Sequence, residues 1–126
     1  MKNVLVVGGA GYVGGAITDL IASSNYNVRI FDNLLYEDTY RKEVDFFYGD
    51  VLDTKALLPH LKWADVVVWL AAIVGDGACQ LNPEYTIEVN QEAVKKLSQN
   101  FDKRIIFMST CSVYGAQDIE LNENSL

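Results

Sequence analysis

The chain has 126 residues, room for one domain; half of it is apolar and 21% is charged, which excludes a disordered polypeptide. Seventeen acids against ten bases leave a net charge of −7. That balance argues against a nucleic-acid binder, which needs a basic face, and against attachment to an anionic membrane surface.

In chain order, the apolar run Asn3–Val7 is the first expected strand; it is too short for a signal-peptide core or a membrane span. It stops at Gly8-Gly9-Ala10-Gly11-Tyr12-Val13-Gly14, and a helical pattern follows from Tyr12 to Ser23 with Val13, Ile17, Leu20 and Ile21 expected on one buried stripe. Glycines in this context allow a tight turn, close backbone approach to a pyrophosphate and close helix–strand packing. The helix start then offers unpaired N–H groups to the phosphates. Asn27–Asp32 is the second strand, ending in an acid about twenty residues beyond the glycines. A carboxylate there accepts from the ribose 2′-hydroxyl and repels a 2′-phosphate, so NAD is expected over NADP.

The polar, tyrosine-rich stretch Asn33–Glu43 reads as a loop. Val44–Tyr48 is the third strand, and Asp53 or Thr54 caps a short helix to Leu61, with Leu57, Leu58 and Leu61 inward. Asp65–Ala71 is the fourth and most apolar strand. Pro83 suits the first turn of a longer helix to about Phe101, burying Ile87, Val94 and Leu97, and Arg104–Met108 is the fifth strand. Short, uniformly apolar strands alternating with helices predict an α/β domain over residues 1–126. Its form is a Rossmann-type parallel sheet of about five strands in order 3-2-1-4-5, helices on both faces, with NAD across the switch point. Neither repeats nor low-complexity runs mark an internal boundary.

The segments GGAGYVG, Asp32-Asn33-Leu34, Gly49-Asp50-Val51, Leu70-Ala71-Ala72, Asn90 and Ser109-Thr110-Cys111-Ser112-Val113-Tyr114-Gly115 fall in the order of one family. Together they resemble the N-terminal part of an extended short-chain dehydrogenase/reductase of the NAD-dependent epimerase/dehydratase type, typified by UDP-glucose 4-epimerase. The resemblance runs over the whole chain and implies roles position by position. Gly8, Gly11, Tyr12, Val13 and Gly14 would meet the pyrophosphate, and Asp32, Asn33 and Leu34 the adenosine ribose. Asp50 and Val51 would meet the adenine ring. Leu70, Ala71 and Ala72 would let backbone pass close to the cofactor, and Asn90 would hold backbone or water near the active site. Thr110 would be the catalytic hydroxyl that bonds the substrate oxygen; Tyr114 belongs to the turn after the fifth strand.

Two departures narrow this reading. The family's acid/base tyrosine lies in a Y-x-x-x-K helix, and none of the seven tyrosines here has a lysine four residues later. The usual last strands and the substrate lobe are also missing, so a truncated cofactor-binding part is expected. Family dehydratases carry Asp-Glu after the threonine, where this chain has Cys111 and Ser112, which favours epimerisation or reduction of a nucleotide sugar over dehydration. The alternative is a short, stand-alone NAD-binding protein without catalytic activity.

The remaining reactive residues read as ordinary. His60 reads as a surface residue, Trp63 and Trp69 as packing, and Cys79 and Cys111 as free thiols in loops. One histidine and two scattered cysteines make no metal site. Reduced thiols without a leader place the protein in the cytoplasm. The fifth strand, carrying Ile105, Ile106 and Phe107, should be a bare sheet edge, and the Pro83–Phe101 helix only partly covered. A homo-oligomer is therefore expected.

Overall fold

A computed structural model describes residues 1–125. Five parallel strands, β1 (Lys2–Val7), β2 (Tyr26–Asp32), β3 (Asp45–Tyr48), β4 (Val66–Trp69) and β5 (Arg104–Phe107), form one sheet in the order β3-β2-β1-β4-β5. This is the Rossmann-type order expected from the sequence. Val6 pairs with Ile30 on one side and Val68 on the other, and Val68 pairs in turn with Ile106.

Alternate residues of β1 serve two different cores, as the pleat requires. Leu5 and Val7, with Phe31, Val67 and Trp69, pack under α2 (Thr54–Trp63) and α5 (Ala93–Asn100) through Leu57, Leu61, Ala93, Leu97 and Phe101. Val4 and Val6, with Ile30 and Val68, pack under α1 (Tyr12–Ala22) through Ile17 and Ile21, joined by Tyr40, Val44 and Phe46. Each fully buried aliphatic here is worth about 1.5–3 kcal/mol. The α1 layer does not extend over the far side of the sheet. Ile106, in register with Val68, is 44% exposed.

Helix α2 starts where the sequence places it, with the Asp53 carboxylate accepting from Ala56 N at 3.1 Å. Helix α1 turns differently from the expected stripe. Gly14 and Thr18 are its buried residues, while Val13 and Leu20 are exposed. The reason is steric: a Cβ at Gly14 would stand 2.6 Å from Gly9 O, so the helix start docks on its glycine, while Ile17 and Ile21 of the expected stripe pack inward. Thr18 tolerates burial because its hydroxyl donates to Gly14 O at 2.7 Å.

The segment after β4 holds a short helix the sequence did not announce, α3 (Asp76–Leu81), so Cys79 is helical rather than in a loop. The predicted long helix is α4 (Pro83–Ile87), a π-helical turn (Glu88–Glu92) and then α5. Along it Val89, Ala93 and Leu97 are buried, while Ile87, expected inward, is 53% exposed. A 3-10 turn (Cys111–Tyr114) follows β5. Among the described residues no helix is long and apolar enough to cross a membrane.

Candidate cofactor-binding site

The carboxyl ends of β1, β2 and β4 open onto a cavity of about 420 Å³, at the point where strand order reverses. Its floor is the glycine turn. Gly8 has φ +80° and donates its N–H to Phe31 O at 2.8 Å; a Cβ there would stand 2.5 Å from Ala71 N. Only glycine fits, because both the left-handed backbone and the approach of β4 forbid a side chain. Gly11 is the residue before α1 and has no side-chain cap, and a Cβ there would meet nothing nearer than Gly8 O at 3.7 Å. The first turn of α1 therefore presents uncapped N–H groups beside open space. Backbone donors at a helix start in such a setting can form a cradle for an anionic group such as a phosphate.

The β2 end is tied to this cradle through one carboxylate. Asp32 Oδ2 accepts from Ala10 N at 3.0 Å, and Oδ1 accepts from Leu34 N at 2.8 Å. Leu34 has φ +54°, the one non-glycine residue among those described in that region. Such a conformation costs a branched side chain about 1–2 kcal/mol and turns the next residues over the cavity. Gly49 N donates to Asp32 O at 3.0 Å, joining β3 to the same corner. A Cβ on Gly49 would collide with the Phe31 ring, so a ring and a bare backbone share that wall.

Twelve of the residues singled out from sequence line the cavity: Gly8, Gly11, Tyr12, Val13, Gly14, Asp32, Asn33, Leu34, Val51, Leu70, Ala71 and Ala72. Asp50 and Asn90 stand behind it. Asp50 Oδ1 accepts from Leu52 N at 2.9 Å and fixes the turn that presents Val51. Asn90 grips the backbone after β4 from both sides, its Oδ1 accepting from Ile73 N at 2.8 Å and its Nδ2 donating to Ile73 O at 2.9 Å. Thr110 lies outside the cavity. Its exposed hydroxyl caps the 3-10 turn by accepting from Ser112 N at 3.2 Å.

Sequence reasoning missed Phe31, Gly49, Ile73, Tyr85 and Val89 as lining residues. Tyr85 had a local signal, since Asn82-Pro83 is a helix start and fixes where the next side chains emerge. Burial raises the pKa of its phenol, with the Asp50 carboxylate adding to the effect and the Asn33 side chain opposing it. Gly49 belongs to the Gly49-Asp50-Val51 segment singled out from sequence, whereas Phe31 gave no signal, because its role depends on two strands meeting.

A parallel sheet of this order, with a glycine turn and an acid-ended second strand at its switch point, is the build of a dinucleotide-binding protein. Comparison with known proteins is more specific. Residues 4–126 match the NAD dependent epimerase/dehydratase family, and the chain belongs to it. It is 28% identical over 122 residues to a UDP-N-acetyl-alpha-D-glucosaminuronate decarboxylase of Bacillus cytotoxicus, covering 90% of this chain and 38% of that one. Among solved structures, UDP-N-acetylglucosamine 4-epimerase from Methanobrevibacter ruminantium M1, in complex with UDP-N-acetylmuramic acid, superposes with a TM-score of 0.83 and 30% identity. That match covers 98% of this chain and 43% of that one. UDP-glucose 4-epimerase from Brucella ovis, in complex with NAD, gives 0.84 and 28% identity over 99% of this chain and 41% of that one. The chain thus spans about two fifths of the relatives it matches.

Proposed function

We propose that this chain is the NAD-binding part of a sugar-nucleotide epimerase or reductase, one cofactor domain over residues 1–126. The observation that carries the reading is the cradle. Gly8 is forced by the Ala71 backbone, Gly11 leaves the α1 start uncapped, and Asp32 is held at its rim by Ala10 and Leu34. Bound NAD would supply a hydride acceptor and donor for a sugar hydroxyl. The glycine turn and α1 N–H groups bind its pyrophosphate, and the free lone pairs of Asp32 accept from the ribose hydroxyls. Val51 and Asp50 lie toward the adenine. Leu70, Ala71 and Ala72 line the path of the cofactor, the two alanines keeping side chains short there, and Asn90 sets that backbone through Ile73. Thr110 bonds the substrate oxygen.

Calorimetric titration with NAD and NADP tests the cofactor step: NAD is expected to bind tighter, and equal affinity or none rejects the Asp32 assignment. The same chain is expected not to turn over UDP-galactose, because it carries no Y-x-x-x-K pair, and general acid–base help is worth about 10²–10⁴-fold. Steady turnover by purified protein would overturn that.

A second reading, NAD binding without catalysis, is favoured by Thr110, whose hydroxyl meets only Ser112 in hydrogen bonds among the described residues. The acidic chain with free thiols suits the cytoplasm. The bare β5 edge, with Ile106 and Phe107 half-exposed, supports self-association, and a 14.0 kDa species in light scattering at roughly 100 µM would reject it.

A further inference from the structure

We propose that Tyr85 is a cofactor-binding residue that covers the adenine end of the cavity, its ring lying on the base. This rests on the NAD reading above and adds to it a wall contributed by α4. Tyr85 lines the cavity together with Val89, one turn further along the same helical column. The two side chains share a helix face. Val89 is 4% exposed and forms the inner part of that wall, while Tyr85, half-buried, forms the outer part.

The position of Tyr85 is built rather than incidental. Asn82 caps α4, its Oδ1 accepting from Tyr85 N at 3.1 Å, and Pro83 sets the first turn. The Thr86 hydroxyl lies 3.2 Å from Cys79 O and 2.9 Å from Asn82 O, binding α3 to the start of α4. The ring thus leaves a fixed backbone. Its phenol hydrogen-bonds the Asn33 side chain, the residue beside Asp32, and lies within electrostatic reach of the Asp50 carboxylate, Tyr36 and Glu88. The groups around Tyr85 therefore include the ones placed at the ribose and the base. A planar, partly desolvated ring on a rigid mount, lining the same cavity as Val51, suits a purine face.

The test is calorimetric titration of the unaltered chain, Tyr85→Ala, Tyr85→Leu and Tyr85→Phe with NAD and with AMP. Tyr85→Ala is expected to weaken both ligands about tenfold, and Tyr85→Leu about threefold, since it keeps bulk without the π-face; Tyr85→Phe should stay within about twofold. A purely structural residue would change thermal stability while leaving the AMP affinity of the folded fraction intact. Circular dichroism reports that fraction, and if Tyr85→Ala fails to fold, the loss in Tyr85→Leu decides. Equal AMP and NAD affinity in all four proteins overturns the role of Tyr85 and leaves the NAD reading standing. No NAD binding by the unaltered chain overturns both.

Discussion

The two halves of the sheet are finished to different degrees. On the β3-β2-β1 side every turn is locked to another: Gly8 to Phe31 and Ala71, Asp32 to Ala10 and Leu34, Gly49 to the Asp32 backbone. On the β5 side the segment 104–115 is largely exposed. Among the described residues the Thr110 hydroxyl bonds only Ser112, two residues on, and Ile106 is 44% exposed. One side holds a ligand cradle by its own contacts. The other presents an exposed hydroxyl on an exposed turn.

The sharpest way to break this contrast uses two glycines with similar backbone and different neighbours. Gly8 and Gly115 have φ of +80° and +71°, but a Cβ meets the Ala71 backbone at the first and nothing within 4 Å at the second. Gly8→Ala is expected to cost roughly 2–5 kcal/mol, strain plus overpacking, and Gly115→Ala about 1–3 kcal/mol, strain alone at φ +71° and ψ −176°. Urea unfolding measures both, and similar losses would show that the cradle is no tighter than the tail.

Asn90 gives the next effect. Asn90→Ala leaves Ile73 N and O without their partner, at about 1–3 kcal/mol. Asn90→Asp should be worse at neutral pH, because it turns a donor facing Ile73 O into a second acceptor. The reverse order would mean that Nδ2 does not matter. Asp32→Ala removes the acceptor of two backbone N–H groups and should weaken NAD about tenfold or more, read by calorimetry. Thr110→Ala should leave that affinity unchanged and stability within about 0.5 kcal/mol.

The smallest effect is linked to pH. His60 Nδ1 lies 3.3 Å from Arg29 Nη1, which only donates, so the ring is neutral there, packed against Phe31 and Phe47. Burial, with the Arg29 charge second, holds its pKa below the ordinary value. As pH falls through about 6.5 the unfolded chain takes up a proton that the folded chain refuses, so stability drops on acidification. His60→Gln should flatten that part of the stability profile; an unchanged slope would assign it to other groups.

Strand order and the glycine cradle were legible because they rest on local rules: apolar runs of strand length, glycine where backbone must turn left, an acid at a strand end. The facing of α1 was legible only in part: Ile17 and Ile21 pack inward as the periodicity requires, but Val13 and Leu20 do not, since the contact at the helix start is set by Gly14 against Gly9. Helix α3 carries two glycines at its start, Gly75 and Gly77, which hid it. Of the site, the residues that touch the cavity through their own turn were found. Phe31 and Ile73 were missed because other segments bring them there.

The π-helical turn at Glu88–Glu92 has an angular consequence. Residues in a regular α-helix step by about 100°, so Tyr85 and Leu97, twelve positions apart, would point about 120° away from each other. A π turn absorbs one extra residue, which cancels about 100° of that divergence and leaves roughly 20°. A spacing of four, Tyr85–Val89–Ala93–Leu97, thereby becomes a nearly straight meridian, with its near end at the cavity and its far end in the core. Deleting one residue within the turn would restore regular winding and swing the near end away. The cavity wall and the core would then no longer share one side of the helix.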